Sequence, residues 1–170
     1  VTTVRVAGAA LLCLTISWPA SADQETTANS CAEVLTALMG LGAAPSFHWS
    51  MSASSPKRRF PLKREQIVLG DNVFLTPDEG RWMRSHVTLA EREAKMRNEL
   101  AQTPPGDCRL DGREIRDGMP MHIISYSQNS RDKRIWIGDA DGLPHYFISS
   151  EPPVSVTMRV QYTDVQSPLP

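Results

Sequence analysis

The sequence predicts an α+β chain that is mainly antiparallel β: a curved up-and-down sheet, an incomplete barrel, with a leading helix and an inserted helix. Three observations lead there. The hydrophobic period is 3.6 over residues 29–42 and 88–102 but 2 over most of the rest. From Cys108 onward, five strand-like runs are separated by Asp-Gly, Asn-Ser, Asp-Gly and Pro-Pro, which are turn signals. The last run alternates Val154, Val156, Met158, Val160 and Tyr162 with Ser155, Thr157, Arg159 and Gln161, a strand with one wet face.

Taken in order, "VTTVRVAGAALLCLTISWPASA" has one cation, Arg5, an apolar run from Val6 to Ile16, and small residues at Ala20-Ser21-Ala22. That pattern predicts an export signal over 1–22, cleaved near Ala22, and hence a periplasmic protein. The run is too short for a comfortable membrane span, which needs about 20 apolar residues. Leu12 before Cys13 does not fit acylation at that cysteine, because a small residue is expected there. Residues 23–29 are polar and read as a disordered linker, and residues 166–170 as a tail. The single domain spans 30–165.

"NSCAEVLTALMGLG" places Val34, Leu35, Leu38 and Met39 on one helical stripe, with Asn29 or Ser30 as cap. "SFHWSMS" then puts Phe47, Trp49 and Met51 on one face of a strand. "REQIVLGDNVFLT" reads as a hairpin turning at Asp71–Asn72, and "RWMRS" as a further strand. "TLAEREAKMRNELAQ" opens with a capping box, Thr88 and Glu91. Its apolar stripe is thin (Leu89, Met96, Leu100), so this helix rests on the domain along one edge, and Pro104-Pro105 end it. About eight strands result.

In "RIWIGDADGLPHYFISS", a two-residue Asp141–Gly142 turn would set Ile137 opposite Tyr146, Trp136 opposite Phe147 and Ile135 opposite Ile148. Ile135, Ile137, Tyr146 and Ile148 would then face inward and Trp136 and Phe147 outward. Both faces are apolar, so something must cover the second.

Composition narrows the function. Hydrophobic content of 41% and charged content of 22% suit a globular protein. A net charge of −1 argues against a general nucleic-acid binder and gives no overall attraction to anionic membranes. The run Lys57-Arg58-Arg59, bounded by Pro56 and Pro61, is either solvated surface or a contact for a lipid phosphate or an acidic partner. Without Cys13, Cys31 and Cys108 remain, and in an oxidising compartment two cysteines read as one disulfide. Such a bridge would stabilise by about 4 kcal/mol in the chain-entropy model.

No GxSxG, HExxH or glycine-rich phosphate loop occurs, so no enzyme is predicted and no catalytic residue is named. His48, His86, His122 and His145 fall on separate elements and read as wet-face residues. Asp139 and Asp141 read as turn formers. In "GMPMHI", Met119 and Met121 point to one face and His122 to the other, which argues against a local copper site. No metal and no cofactor are expected.

The order of export signal, short helix, strand meander, inserted helix and paired strands resembles the periplasmic lipoprotein-carrier-like family, relatives of the outer-membrane lipoprotein carrier. The segments most similar are "RIWIGDADGLPHYFISS", with Gly-Leu-Pro after the turn, and the closing "VTMRVQYTDV". The resemblance covers roughly residues 30–165. It implies an incomplete barrel around helices with an apolar hollow for acyl chains, and an arginine near the mouth, in the region of Arg58, Arg59 and Arg64. On this reading the chain is a monomeric, non-enzymatic binding protein. It would sequester a lipid or acylated molecule among Phe47, Trp49, Met51, Met119, Met121, Val156 and Met158. The alternative is an envelope interaction module with a filled core, docking a protein partner and no ligand.

Overall fold

The computed structural model describes residues 22–57, 59–76 and 80–169; the predicted export signal, apart from Ala22, lies outside them. The element order is α1 (Ala22–Ala43), β1 (Ser46–Ser54), β2 (Leu62–Leu69), β3 (Asn72–Thr76), β4 (Met83–His86), α2 (Leu89–Gln102), β5 (Gly106–Arg116), β6 (Met119–Gln128), β7 (Arg131–Gly138), β8 (Pro144–Glu151) and β9 (Val154–Gln161). The nine strands form one antiparallel sheet in the order β4-β3-β2-β1-β9-β8-β7-β6-β5. Two meanders therefore meet where β1 pairs with β9. Helix α2 carries the chain from one sheet edge, β4, to the other, β5. The sheet is not closed, so the architecture is the half-barrel expected, with one strand more than the sequence count.

The turns follow the local chemistry. Asp117-Gly118 and Asn129-Ser130 all take positive φ, the backbone that two-residue hairpin loops demand. The β2–β3 turn sits at Gly70–Asp71, one residue earlier than expected, because Leu69 faces Asn72. Gly70 takes the left-handed φ of 58° at no steric cost. That frees Asp71 to accept the Val87 N–H at its carbonyl (2.9 Å) and the Leu89 N–H at its carboxylate (3.2 Å).

The β7–β8 connection corrects the predicted register. Ile135 faces Phe147 and Trp136 faces Tyr146, one residue out of the expected pairing. The cause is a wider turn. The Gly142 N–H donates to the Gly138 carbonyl (2.9 Å) and the Gly138 N–H to the Leu143 carbonyl (3.0 Å), while the Asp141 carboxylate accepts the Leu143 N–H (2.9 Å). A slip of one residue exchanges the faces of a strand. Phe147 therefore joins Ile135 and Ile137 in the core, and Tyr146 and Ile148 join Trp136 outside.

Helix α1 covers Ala22–Ala43, so residues 23–29 are helical rather than a disordered linker. A helix already nucleated gains one hydrogen bond for each residue it adds, without needing an apolar stripe. Its Val34 and Leu38 are buried as predicted, together with Ala37. Through this stripe α1 lies over β5, β6 and β8. The disulfide Cys31–Cys108 ties α1 to β5 across 77 residues. Helix α2 has the expected capping box: Thr88 Oγ1 accepts the Glu91 N–H (3.2 Å) and the Glu91 carboxylate accepts the Thr88 N–H (2.8 Å). Only Leu100 of α2 is buried, and the helix packs on α1. Contact is close at Gly42, where an added Cβ would stand 3.0 Å from the Met96 Cβ.

Candidate functional site

The face of the sheet that carries the helices is the inner one. Residues paired across antiparallel strands share a face. On β1, Trp49 stands opposite Val160, Met51 opposite Met158 and Ala53 opposite Val156. Phe147 stands opposite Met158 on the other side of β9. Phe47, Trp49, Met51, Val156 and Met158 thus share the inner face, as the alternation predicted. Their burial is graded along the strands. Phe47 and Val160, at the helical end, are 5% and 3% exposed. Trp49, Met51, Val156 and Met158 are only half-buried, and Val154 at the far end is exposed. The ladder continues past the strands that α1 covers. Arg64 stands opposite Met51 on β2.

Met119 and Met121 are not part of this set. Met121 faces Gly138, and its face-mate Ile123 faces Trp136, so both methionines lie on the outer face. Met121 is fully buried there. With Met119 it lines a separate groove of about 210 Å³, bounded by Asp141, His145, Tyr146 and Arg159. Alternation sets which residues of one strand share a face, but not which face of the next strand joins them. The seven predicted residues therefore divide five and two.

The outer face of the β7–β8 hairpin is covered by the chain's own arginines. Trp136 donates its indole N–H to Glu114 (2.8 Å). The Arg116 guanidinium lies 4.5 Å from the Tyr146 ring centre and 5.1 Å from that of Trp136. Arg159 stands 5.7 Å from the same tyrosine ring and donates to Asp117 (2.7 Å), which also accepts the Tyr146 hydroxyl. Guanidinium planes stack on aromatic faces while their edges stay hydrated. Burial, and then the bond to Asp117, raise the Tyr146 hydroxyl above the usual tyrosine range. Beside this cluster a groove of about 410 Å³ runs over Ser50, Ser52 and Thr157, with Lys63, Arg116 and Arg159 among its lining.

The histidines differ from expectation. His122 and His145 are buried. His122 stands between two carboxylates, Glu33 of α1 at 2.7 Å and Asp139 at 2.8 Å. His145 pairs with Asp141 at 3.0 Å and meets the Tyr162 ring edge-on. Asp139 and Asp141, read as turn formers, hold these rings. The signal in the sequence was the pair of acids two residues apart in a turn that leads into His145, with His122 on the strand beside β7. His48 behaves as predicted, on the wet face with Glu65 at 3.1 Å. Among the described residues no group of three His, Cys, Asp or Glu could hold a metal.

No protein-family model matches the sequence, and no curated protein sequence matches it. Solved structures do. The lipoprotein LppX of Mycobacterium tuberculosis aligns with a TM-score of 0.50 at 13% identity, over 82% of this chain and 98% of that one. LprF of Mycobacterium bovis aligns with a TM-score of 0.51 at 9% identity, over 84% and 97%. The Pseudomonas aeruginosa MucA/MucB complex aligns with a TM-score of 0.50 at 11% identity; the match covers 82% of this chain but 59% of that one. At such identities the likeness is one of fold. The half-barrel over two helices is accordingly the fold seen in LppX and LprF.

Proposed function

We propose that this chain is an exported, non-enzymatic binding protein that takes up a lipid or acyl chain along the inner face. One observation carries the reading: the apolar ladder Trp49, Met51, Val156 and Met158 continues beyond the helices and is only partly buried. A hydrocarbon tail laid on it removes apolar surface from water at about 0.8 kcal/mol per methylene. Phe47 serves as the floor of the site. Met119 and Met121 belong to the outer groove and play no part.

The test is uptake of a fluorescent fatty acid, with lipid extraction of the purified protein followed by mass spectrometry. Wild type should bind, and Met158→Asp should bind at least tenfold less while keeping its circular dichroism. Equal uptake by both proteins refutes the site.

A second reading, docking of a protein partner, has its own support. MucB is solved in complex with MucA. In this chain the edge strand β5 exposes Leu110 and Ile115, at 48% and 76%. An open edge with apolar side chains accepts an added strand. A partner bound this way should be lost in Ile115→Lys, with fatty-acid uptake unchanged.

A further inference from the structure

The end of the sheet away from the helices carries a second feature. The β1–β2 connection, residues 55–61, leaves Lys57, Arg59 and Phe60 exposed, Phe60 at 73%. The Arg59 guanidinium lies 5.5 Å from the Phe60 ring centre. Because Ser54 pairs with Ser155, the β8–β9 turn at Pro152-Pro153 lies beside this loop. A groove of about 480 Å³ separates Ser54–Pro56 from Pro152–Ser155, and Val154 on its wall is exposed. Glu151, at the end of β8, is held by Arg131 at 2.6 Å. Residues 57–64 contain no Asp or Glu, although the whole chain is at −1. The overall charge, which gives no attraction to anionic membranes, therefore conceals a locally cationic tip.

From this juxtaposition we infer that the tip docks the protein on an anionic phospholipid bilayer. Phe60 enters the interface, with Val154 beside it, and Lys57 and Arg59 face the lipid phosphates. An exposed phenylalanine between cations has no use for its apolar area in water; at a bilayer surface the ring is buried and the charges find counterions. Committing to a bilayer rather than an acidic protein follows from the exposed apolar surface of Phe60 and, on the neighbouring turn, of Pro152, Pro153 and Val154. The inference stands without the acyl-binding reading, although the half-buried ladder ends at the same rim, at Ala53 and Val156.

The experiment is co-sedimentation with vesicles of equal parts phosphatidylglycerol and phosphatidylcholine, against vesicles of phosphatidylcholine alone. Wild type should bind the anionic vesicles, and added salt should release it. Lys57→Gln with Arg59→Gln should weaken binding by about fivefold per charge removed. Phe60→Ser should weaken it at least about tenfold, since the ring's apolar area then leaves the interface. Phe60→Trp should show a blue-shifted emission on the anionic vesicles. All variants share one N-terminus, so any contribution from residues 1–22 cancels. No binding of wild type to anionic vesicles overturns the inference, and so does binding indifferent to these substitutions. Fatty-acid uptake in the same variants separates the two proposals: uptake kept with vesicle binding lost leaves both standing, whereas vesicle binding kept with uptake absent in wild type removes only the acyl reading.

Discussion

Two halves of one sheet share a hydrophobic pattern and differ in what lies over it. On β6 to β8, Ile124, Ile135, Ile137 and Phe147 are at most 8% exposed beneath α1. On β1 and β9, the equivalent alternating positions Trp49, Met51, Val156 and Met158 remain half-buried. Alternation therefore reports which residues of a strand share a face, and the helix above decides whether that face is core or accessible surface. The covered half holds the fold together; the open half is available for a ligand.

The strongest way to break this contrast is to release the helix. Replacing Cys31 and Cys108 together by serine removes the covalent tie between α1 and β5. For a loop of this length the chain-entropy model gives a loss of about 4 kcal/mol. The change is read as a shift in urea midpoint between the oxidised protein and the double variant. A shift below about 1 kcal/mol would mean that the Val34–Leu38 stripe holds the helix unaided.

Truncations across the two halves should then separate. Ile135→Ala, in the covered half, should cost about 3 kcal/mol, the range for emptying a packed site. Met158→Ala, in the open half, should cost about 1 kcal/mol or less, because its surroundings are already partly wet. Fatty-acid uptake should show the reverse order, falling in Met158→Ala and persisting in Ile135→Ala under conditions where the latter is folded. Equal stability losses would show that the open half is as fully packed as the other.

This contrast marks what residue order can and cannot convey. The Val154–Tyr162 alternation, the Asp117-Gly118 and Asn129-Ser130 turns, the capping box and the cysteine pair were legible, because each is a local or covalent matter. The face of Phe147 was not, because the Asp141 carboxylate and the Gly138–Leu143 bonds widen the turn and slip the register. Nor was the cover over Trp136 and Tyr146. Arg159 reads as a wet-face residue, yet its guanidinium and that of Arg116 lie on those rings. Met119 and Met121 were grouped with the inner set because composition ranks them as greasy, while strand-to-strand register sends them outward.

A smaller effect tests how the helical layer is anchored. Arg92 of α2 donates from Nη1 to the Ala44 carbonyl (2.9 Å) and the Gly42 carbonyl (3.5 Å), and from Nη2 to the Gly70 carbonyl (3.3 Å). It thereby supplies the cation that the C-terminal turn of α1 lacks in its own sequence. Arg92→Met should cost about 2 kcal/mol by leaving carbonyls unpaired. Arg92→Lys should recover little of it, since one ammonium cannot span acceptors on two elements as a planar fork does. Full recovery by lysine would reduce the contact to charge alone.

The smallest expected effect concerns the outer face of the covered half. Asp111, at the bulge in β5, accepts the Ser125 hydroxyl and stands 3.2 Å from Arg109 and 3.1 Å from Arg134. The bond from Ser125, and then the arginines, hold its carboxyl below the usual carboxylate range against the opposing effect of burial. A carboxyl that titrates lower in the folded than in the unfolded chain stabilises the fold at neutral pH. The unfolded chain takes up the proton first as pH falls, so this contribution disappears through the acid range, down to the folded value. Asp111→Asn should lower stability by under about 1 kcal/mol at neutral pH, the scale of a surface ion pair. The gap between wild type and variant should close on acidification. No gap at any pH would assign Asp111 a purely hydrogen-bonding role, since an amide oxygen also accepts from Ser125 but does not titrate. The outer face would then be closed over the covered half by hydrogen-bond geometry, and its charges would be incidental to stability.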